Sequence, residues 1–283
     1  MAMKFKKVVI IGTGLIGGSL GKALLKKGLA EEVVGICRRQ SSLDRAIKEK
    51  AFTHGFVNSY EEAISGADII FIATPVHTIR EVLEKLACTV DSPDVVVTDV
   101  GSTKKEIVEY ADSFKDKFVF VGGHPLAGSE KAGVEFSSPE LFEGSVCILT
   151  PTIDTPEDSK NKLKGLWEET GAKVVELAPE KHDEYLAFSS HLPHVVAYAL
   201  AGALEERVPL SMVATGFKDT TRIAASDATL WSDIFISNRD NVLRSIERYK
   251  EILSGIEKDI RDKSGEDLKK KLESYKKKRD EII

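Results

Sequence analysis

The fold is decided near the start of the chain by a strand-like run and the turn after it, Val8-Val9-Ile10-Ile11-Gly12-Thr13-Gly14-Leu15-Ile16-Gly17. A short run of β-branched residues predicts a strand that is buried on both faces. The turn fits the pattern G-x-G-x-x-G, in which the first glycine permits a tight turn, the second admits a pyrophosphate and the third lets helix and strand pack closely. A helix-like segment follows at once, so the turn predicts a dinucleotide held by the free amide groups of a helix N-terminus.

Short apolar runs alternate with amphipathic segments up to about residue 178. The strand-like runs are Val8–Ile11, Val33–Ile36, Ile69–Ile72, Val95–Val97, Phe118–Val121, Val146–Leu149 and Val174–Leu177. The helix-like stretches between them include Ser19–Lys27, Ser41–Lys50, Ile79–Leu86 and Ser159–Thr170. This alternation predicts βαβ units and a mainly parallel sheet covered by helices.

The character of the chain changes after Pro179. Asp183 to Arg207 and Asn241 to Lys263 show helical spacing with no strand-like run between them. We therefore predict an α/β protein in two parts. An N-terminal, doubly wound Rossmann-type dinucleotide-binding domain is expected over residues 1–178, and an all-helical C-terminal domain over residues 179–283.

The last helical segments carry an apolar stripe, formed by Leu243, Ile246, Ile252, Leu253, Ile256, Ile260, Leu268, Leu272 and Tyr275. Such a stripe has to be buried. It can pack within its own domain or against a second copy of the chain, and the small size of the domain favours a homodimer.

Composition excludes several classes of partner. The 40 basic and 45 acidic side chains leave a net charge of -5, which does not indicate nucleic-acid binding. No stretch approaches the ~20 uninterrupted apolar residues of a membrane span, and the start lacks the apolar core of a secretory signal. We expect a cytoplasmic protein without a membrane partner. The three cysteines, Cys37, Cys88 and Cys147, lack metal-ligand spacing, so no metal is predicted.

The end of the second strand-like run bears on the choice of cofactor. Dinucleotide-binding folds usually place an acidic residue there for the adenosine ribose, but this chain has Cys37-Arg38-Arg39. An arginine at this point commonly holds a 2′-phosphate, which favours NADP or the use of both NAD and NADP. The alternative is that both arginines are exposed loop charges and that NAD is the cofactor. The site is also expected to include two strand ends, with Thr74 and Pro75 on one and Val100 and Gly101 on the other.

A histidine and a carboxylate stand among small residues after the fifth strand-like run, in Gly122-Gly123-His124-Pro125-Leu126-Ala127-Gly128-Ser129-Glu130. An imidazole with a pKa near ~6.5 suits an alcohol that loses a hydride, because it can accept the hydroxyl proton as the carbonyl forms. His124 is therefore the candidate base. The alternative is a histidine that bonds only to backbone.

Two further motifs lie in the helical part. In Ser190-His191-Leu192-Pro193-His194, the proline predicts a helix start, and substrate binding by His194 is favoured over a metal pair or a structural role. In Gly216-Phe217-Lys218-Asp219-Thr220-Thr221-Arg222, the arginine is suited to hold a carboxylate with two parallel hydrogen bonds. An Asp219–Arg222 ion pair without a ligand is the alternative.

In this order and combination, the motifs resemble those of the prephenate dehydrogenase family over essentially the whole chain. The glycine turn, Asp99-Val100-Gly101-Ser102, the His124 loop, Ser190–His194 and Asp219–Arg222 carry the resemblance. It implies an N-terminal dinucleotide-binding domain and a helical domain that dimerises. It also implies that prephenate is oxidised and decarboxylated to 4-hydroxyphenylpyruvate, a step towards tyrosine.

The resemblance further implies roles for individual residues. His124 would accept the proton of the C4 hydroxyl, and Ser102 would orient that hydroxyl beside the nicotinamide. His194 and Arg222 would bind the substrate, and Glu130 and Asp219 would shape or gate the entrance. Three other motif residues complete the expected substrate site, namely Ser129, His191 and Lys218.

Other functions remain open at this point. Arogenate dehydrogenase, or dual specificity, is the nearest alternative, although members acting on arogenate often lack an acid at the position of Glu130 or a histidine at that of His194. A β-hydroxy acid dehydrogenase of the 6-phosphogluconate type would need a catalytic lysine motif that we do not find. A nucleotide-binding regulator that has lost catalysis would be expected to lose at least one of His124, Ser102 and Arg222.

Overall fold

The computed structural model describes residues 4–90, 92–128 and 131–282. These residues form one eight-stranded sheet with the order β3-β2-β1-β4-β5-β6-β7-β8. The strands are β1 (Phe5–Ile11), β2 (Ala30–Cys37), β3 (His54–Val57), β4 (Ile69–Ile72), β5 (Val96–Asp99), β6 (Val119–Pro125), β7 (Val146–Thr150) and β8 (Lys173–Glu176). All seven strand-like runs lie in or against strands, and the Rossmann-type architecture is confirmed. β3 was not predicted.

The sheet is parallel from β3 to β6, and then its direction reverses. β7 pairs antiparallel with β6, while β8 is parallel to β7. The connection from β6 to β7 contains no crossover helix among its described residues, only a short 3₁₀ turn at Val134–Phe136. A parallel neighbour would need such a crossover, so β7 returns in the opposite direction.

Helices cover both faces of the sheet. The helices are α1 (Leu15–Lys26), α2 (Gln40–Lys48), α3 (Tyr60–Ile64), α4 (Val76–Thr89), α5 (Lys105–Ala111), α6 (Glu157–Glu169), α7 (Pro179–Leu186), α8 (Leu192–Gly202), α9 (Thr215–Thr221), α10 (Ala228–Ser237), α11 (Arg239–Arg261) and α12 (Gly265–Asp280). Alternate residues of β1 enter opposite apolar clusters, with Val8 and Ile10 on the α1/α6 face and Val9 and Ile11 on the α3/α4/α5 face. No helix in the described part of the chain is long and apolar enough to cross a membrane.

The chain after β8 is helical, as predicted. α7 and α8 form one continuous helical rod, because a π-helical stretch, Ala187–His191, joins them. α8 carries Pro193 in its first turn, as expected, but the rod itself begins at Pro179. α7 packs against α5 and β7 of the sheet domain. The boundary after residue 178 stays a prediction, since α7 contacts the part of the molecule that precedes it.

Candidate active site

The glycine turn has the geometry of a phosphate cradle. Gly12 has a φ of +107°, and a Cβ there would lie 2.3 Å from the carbonyl oxygen of Ala73. A Cβ on Gly17 would lie 2.1 Å from the carbonyl oxygen of Gly12. Gly14 differs, because no atom lies within 4 Å of its added Cβ and no side chain caps the helix that it begins. The amide groups at the start of α1 therefore face open space, which fits a pyrophosphate.

A cavity of about 370 Å³ opens beside this turn. Of the predicted cofactor residues, those that line it are Gly12, Thr13, Gly14, Cys37, Arg38, Arg39, Thr74 and Pro75. Leu15, Ile16, Gly17, Val100 and Gly101 do not line it. The Thr74 hydroxyl is buried at the cavity wall without a hydrogen-bond partner in the described structure. It can therefore form a hydrogen bond with a ligand in the cavity. These features fit a dinucleotide.

The far end of the cavity carries the two arginines. The Cys37 thiol donates to the carbonyl oxygen of Arg39 at 3.3 Å, and burial raises the pKa of the thiol. Arg38 and Arg39 are exposed, and neither forms an ion pair with a described carboxylate. Glu81, an acid that does line the cavity, is bonded to Lys85 at 2.6 Å. The guanidinium groups of Arg38 and Arg39 are therefore available to bind an anionic group of a ligand.

We expect Gly14→Ala to weaken cofactor binding without disturbing the fold. The new methyl group meets no protein atom, but it stands where the backbone has to approach the pyrophosphate. Loss of hydrogen bonds to a charged ligand predicts a rise of about 10- to 100-fold in the cofactor Kd. Quenching of protein fluorescence by NAD measures it, and Gly216→Ala, also in open space, is the control. Unchanged affinity for NAD would contradict the cradle.

His124 is the first member of a buried chain of hydrogen bonds. Its Nδ1 lies 2.8 Å from Nε2 of His182, and Nδ1 of His182 lies 2.7 Å from Oδ1 of Asp183. The Asp183 carboxylate also accepts the backbone N–H groups of Lys104 at 2.8 Å and Lys105 at 3.0 Å. His182 and Asp183 were not predicted from the sequence.

This chain determines which ring nitrogens carry hydrogen. A carboxylate only accepts, so Nδ1 of His182 must donate to Asp183 and Nε2 of His182 must accept from His124. Nδ1 of His124 is then the donor, and its Nε2 is left with a free lone pair. Burial, and after it the charges of His182, Lys104 and His191, lower the pKa of His124 well below its usual value. His124 is therefore neutral near pH 7 and can accept a proton at Nε2.

Ser102 and His124 lie at the same edge of the sheet as the glycine turn. The strand registers pair Ile11 with Ile72, Ile72 with Asp99, and Thr98 with Val121, so β1, β4 and β5 end side by side, and β6 continues past them to Pro125. Ser102 is half-buried, three residues after β5 ends, and its hydroxyl makes no hydrogen bond within the described chain. It is thus available to a ligand at this edge.

The two histidines of the helical part occupy different environments. His191 is 1% exposed, and its Nδ1 lies 3.2 Å from the Asn238 amide, whose nitrogen also donates to the Asp183 carbonyl oxygen at 2.7 Å. Burial lowers the pKa of His191 to about 4. This burial does not support direct substrate contact by His191. His191 packs beside His182 and Asp183.

His194 is half-buried and has a fixed orientation. Its ring stacks on Trp231, with centroids 3.4 Å apart and planes 19° from parallel. Its Nδ1 lies 3.0 Å from the carbonyl oxygen of Ser190 and donates to it, which leaves Nε2 free. Burial lowers the pKa of His194. The stack presents one nitrogen of a neutral imidazole to a ligand.

The remaining predicted residues lie apart from this cluster. Lys218, Asp219 and Arg222 are exposed, and no Asp219–Arg222 ion pair is present. The turn that Arg222 begins packs against α8, the helix of His194. Ser129 and Glu130 lie outside the described residues. Four histidines lie near one another, yet within the ranges that the structure covers no group of three ligands could hold a metal.

Some signals for the missed residues were present in the sequence. Lys104 follows Ser102 by two positions, and His182-Asp183 stands in the first helix after the sheet. Neither motif reveals that its side chain turns back beneath His124. One edge of the sheet carries both a dinucleotide cradle and a neutral, oriented imidazole. This combination is typical of a nicotinamide-dependent dehydrogenase that removes a hydride from an alcohol.

Comparisons with known proteins specify the class further. Family models described as the nucleotide-binding and the dimerization domain of prephenate dehydrogenase match residues 20–176 and 178–274. The chain is 37% identical to the prephenate dehydrogenase of Bacillus subtilis over 257 residues, which cover 89% of this chain and 68% of the relative. The chain belongs to the prephenate dehydrogenase family.

Solved structures agree with this assignment. The prephenate dehydrogenase of A. aeolicus, in complex with hydroxyphenyl propionate and NAD+, is 36% identical and superposes with a TM-score of 0.92 over 100% of both chains. The arogenate dehydrogenase of Synechocystis is 30% identical and has a TM-score of 0.84 over 98% of this chain and all of that one. The predicted family, the fold and the class of enzyme are thereby confirmed.

Proposed function

We propose that this protein oxidises and decarboxylates prephenate to 4-hydroxyphenylpyruvate. The observation that carries the proposal is the oriented, neutral His124, with Nε2 free, on the sheet edge that holds the dinucleotide cradle. Membership of the family supports the substrate. A nicotinamide cofactor held by the turn at Gly12, Thr13 and Gly14 would supply the acceptor for the hydride that leaves C4 of the substrate.

The protein's own part is to bind, to orient and to take up one proton. As the hydride leaves C4, the hydroxyl on that carbon gains carbonyl character, and His124 accepts its proton at Nε2. Carbon dioxide leaves C1, its bonding electrons enter the ring, and the aromatic phenolate oxygen then takes the proton back from His124 to give the phenol of the product. The new imidazolium is stabilised by the Asp183 carboxylate through His182. Ser102 would orient the hydroxyl, since its own O–H has no competing partner in the described chain.

Prephenate carries two carboxylates, which require cationic or donor groups. Arg222 is exposed, lies next to α8 and has no ion-pair partner among the described residues, so it is the proposed carboxylate ligand. The stacked His194 is the proposed second contact. Lys218 and Asp219 lie in the turn before Arg222, and we propose that they, with Ser129 and Glu130, border the entrance.

We expect Arg222→Ala to raise the KM for prephenate far more than it lowers kcat. Removing a bidentate contact to a carboxylate predicts a rise of about 10- to 100-fold. Initial rates against prephenate concentration measure it. Arg45→Ala removes an exposed arginine from α2, away from the proposed site, and serves as the control. A KM equal to that of the unmodified protein would remove Arg222 from the substrate site.

The experiment that tests the function is a matrix of prephenate or arogenate with NAD or NADP, read by the absorbance of the reduced nicotinamide. Rapid reduction with prephenate is the expected result. Activity with arogenate alone would favour the second candidate, for which the likeness to the Synechocystis arogenate dehydrogenase is the specific observation. Silence in all four combinations would overturn the proposal.

The same matrix addresses the cofactor. NAD is the cofactor found with the A. aeolicus relative. We propose that this protein also accepts NADP, because Arg38 and Arg39 face the cavity without carboxylate partners. Reduction of NADP at a rate comparable to NAD would support this, and a strict need for NAD would reject it.

We propose that the protein acts as a homodimer through its helical part. Among the described residues after Leu192, the buried apolar ones are only Ala197, Trp231, Ile234 and Val242, whereas those more than half exposed include Leu210, Met212, Ile236, Leu243 and Ile260. Four buried side chains make a small core, and a second copy of the chain would cover the exposed apolar side chains. Sedimentation should give twice the 31.0 kDa chain mass. Ile260→Lys should reduce it, and Ile153→Lys in the exposed turn before α6 should not.

A cytoplasmic location is also proposed. Its support is that Cys37, Cys88 and Cys147 are all free thiols, which is typical of proteins in a reducing compartment.

A further inference from the structure

A buried ion pair lies directly beneath the two proposed reacting groups. The side chains of Lys104 and Asp99 are both 0% exposed and bonded to each other, Nζ to Oδ2. The ammonium also donates to the carbonyl oxygen of Gly123 at 2.9 Å. None of the roles assigned above uses this pair.

The pair is attached to the backbone on both sides of the site. Oδ2 of Asp99 accepts the N–H of Gly101 at 2.8 Å, next to Ser102. Oδ1 of Asp99 accepts the N–H of Gly123 at 3.2 Å, next to His124. One carboxylate therefore joins the two loops, and the backbone N–H of Lys104 is bonded to Asp183, at the far end of the histidine chain.

Three glycines let the loop backbones lie close to the pair and to the backbone of Asp99. A Cβ on Gly101 would lie 2.8 Å from Oδ2 of Asp99, one on Gly123 would lie 2.7 Å from the Asp99 carbonyl oxygen, and one on Gly122 would lie 3.2 Å from Cδ of Lys104. The loop backbones pack against the ion pair directly. Because the packing is close, a displacement of the ion pair would also displace Ser102 and His124.

A buried ion pair is a poor source of stability, because removing two charges from water costs about as much as their attraction returns. The charge of Lys104 also bears on His124. His182, Lys104 and His191 act on His124 directly. The other charged or titratable groups around them are Asp99 and Asp183, which act on His182, and Cys147, whose thiol lies against the backbone of His124. The histidines of this set are neutral near pH 7, so Lys104 is its cation; burial lowers the pKa of Lys104, and the Asp99 carboxylate opposes that lowering.

We propose that Asp99 and Lys104 are positioning residues, which hold Ser102 and His124 together, and that the buried ammonium of Lys104 opposes a positive charge on His124. The inference rests on the proposed function, since it takes His124 as the base. An ammonium near an imidazole disfavours the second positive charge. Lys104 thus keeps His124 able to accept a proton in mildly acidic solution.

The test is the pH profile of kcat/KM for Lys104→Met, which keeps the length of the side chain and removes the charge. The acidic limb should move up by about one pH unit, and kcat should fall roughly 10-fold or more as the loops loosen. Lys105→Met, which removes an exposed neighbour paired only with Glu109, is the matched control and should match the unmodified protein. An acidic limb that stays in place in folded Lys104→Met would overturn the charge role.

Two additions keep the test decisive. Asp99→Asn/Lys104→Met leaves no unpaired buried carboxylate, and its acidic limb should move in the same direction as that of the single variant. Titration of the His124 ring protons by NMR needs no turnover, so it distinguishes failure of this inference from failure of the proposed activity. An active protein whose His124 titrates identically with and without Lys104 would reject the inference, whereas a shifted titration in a protein inactive on prephenate would reject only the substrate.

Discussion

His124→Asn should bind cofactor and substrate almost normally and lose about 100- to 10,000-fold in kcat, the usual contribution of a positioned general base. Asparagine is close in size, and its amide can still bond to Nε2 of His182, so the buried chain of hydrogen bonds keeps a partner. It cannot accept the hydroxyl proton. The loss should therefore fall on kcat, with Kd values for the nicotinamide cofactor and for a product-like inhibitor nearly unchanged.

Steady-state rates and binding titrations on the same preparation measure the two effects separately. His54→Asn is the matched control, because His54 lies on the edge strand β3, where it is exposed and contacts Glu32, Thr53 and Phe56. Turnover in His124→Asn comparable to that of the control would remove His124 as the base. A loss of cofactor affinity equal to the loss of kcat would instead indicate a disturbed fold.

The parts of the fold that could be predicted are those where burial dictates residue type. The last four residues of β1 and all of β4 are buried, so each of these stretches is an unbroken apolar run in the sequence. β3 escaped prediction because His54–Val57 lies at the sheet edge and lacks such a run. The reversal at β7 escaped it as well, since strand direction depends on the path of the connection rather than on the composition of the strand.

The candidate site likewise has residues that could be predicted from the sequence and residues that could not. The glycine turn and the His124 loop are local, and their residue types alone indicate their chemistry. The groups that orient His124 come from tertiary packing, since His182 lies 58 residues further along the chain. Lys104 would ordinarily be expected at the surface, yet it is 0% exposed. Contacts of this kind leave no pattern in a single sequence.

Asp183→Asn should lower kcat by roughly 100-fold or more while leaving the KM for prephenate within a few-fold, because it removes a charge from the end of the histidine chain without touching the substrate. Asp183 raises the pKa of His182, against the larger effect of burial. Its charge is thus the group in the chain that favours the imidazolium formed when His124 takes the proton. An amide in its place can hold the ring of His182 but cannot offset the new positive charge.

The change also removes an acceptor from the backbone of α5, and this structural loss has to be separated from the electrostatic one. Asp68→Asn provides the control outside the proposed site, because Asp68 also accepts two consecutive backbone N–H groups, those of Lys6 at 2.7 Å and Lys7 at 3.0 Å, although both bond to one oxygen. Thermal unfolding measures the structural loss, which should be larger in Asp183→Asn because its two N–H groups bond to different oxygens. Only Asp183→Asn should lose turnover while both variants are folded. Equal turnover in the two variants would mean that Asp183 serves the helix alone and that His124 acts without support from a buried charge.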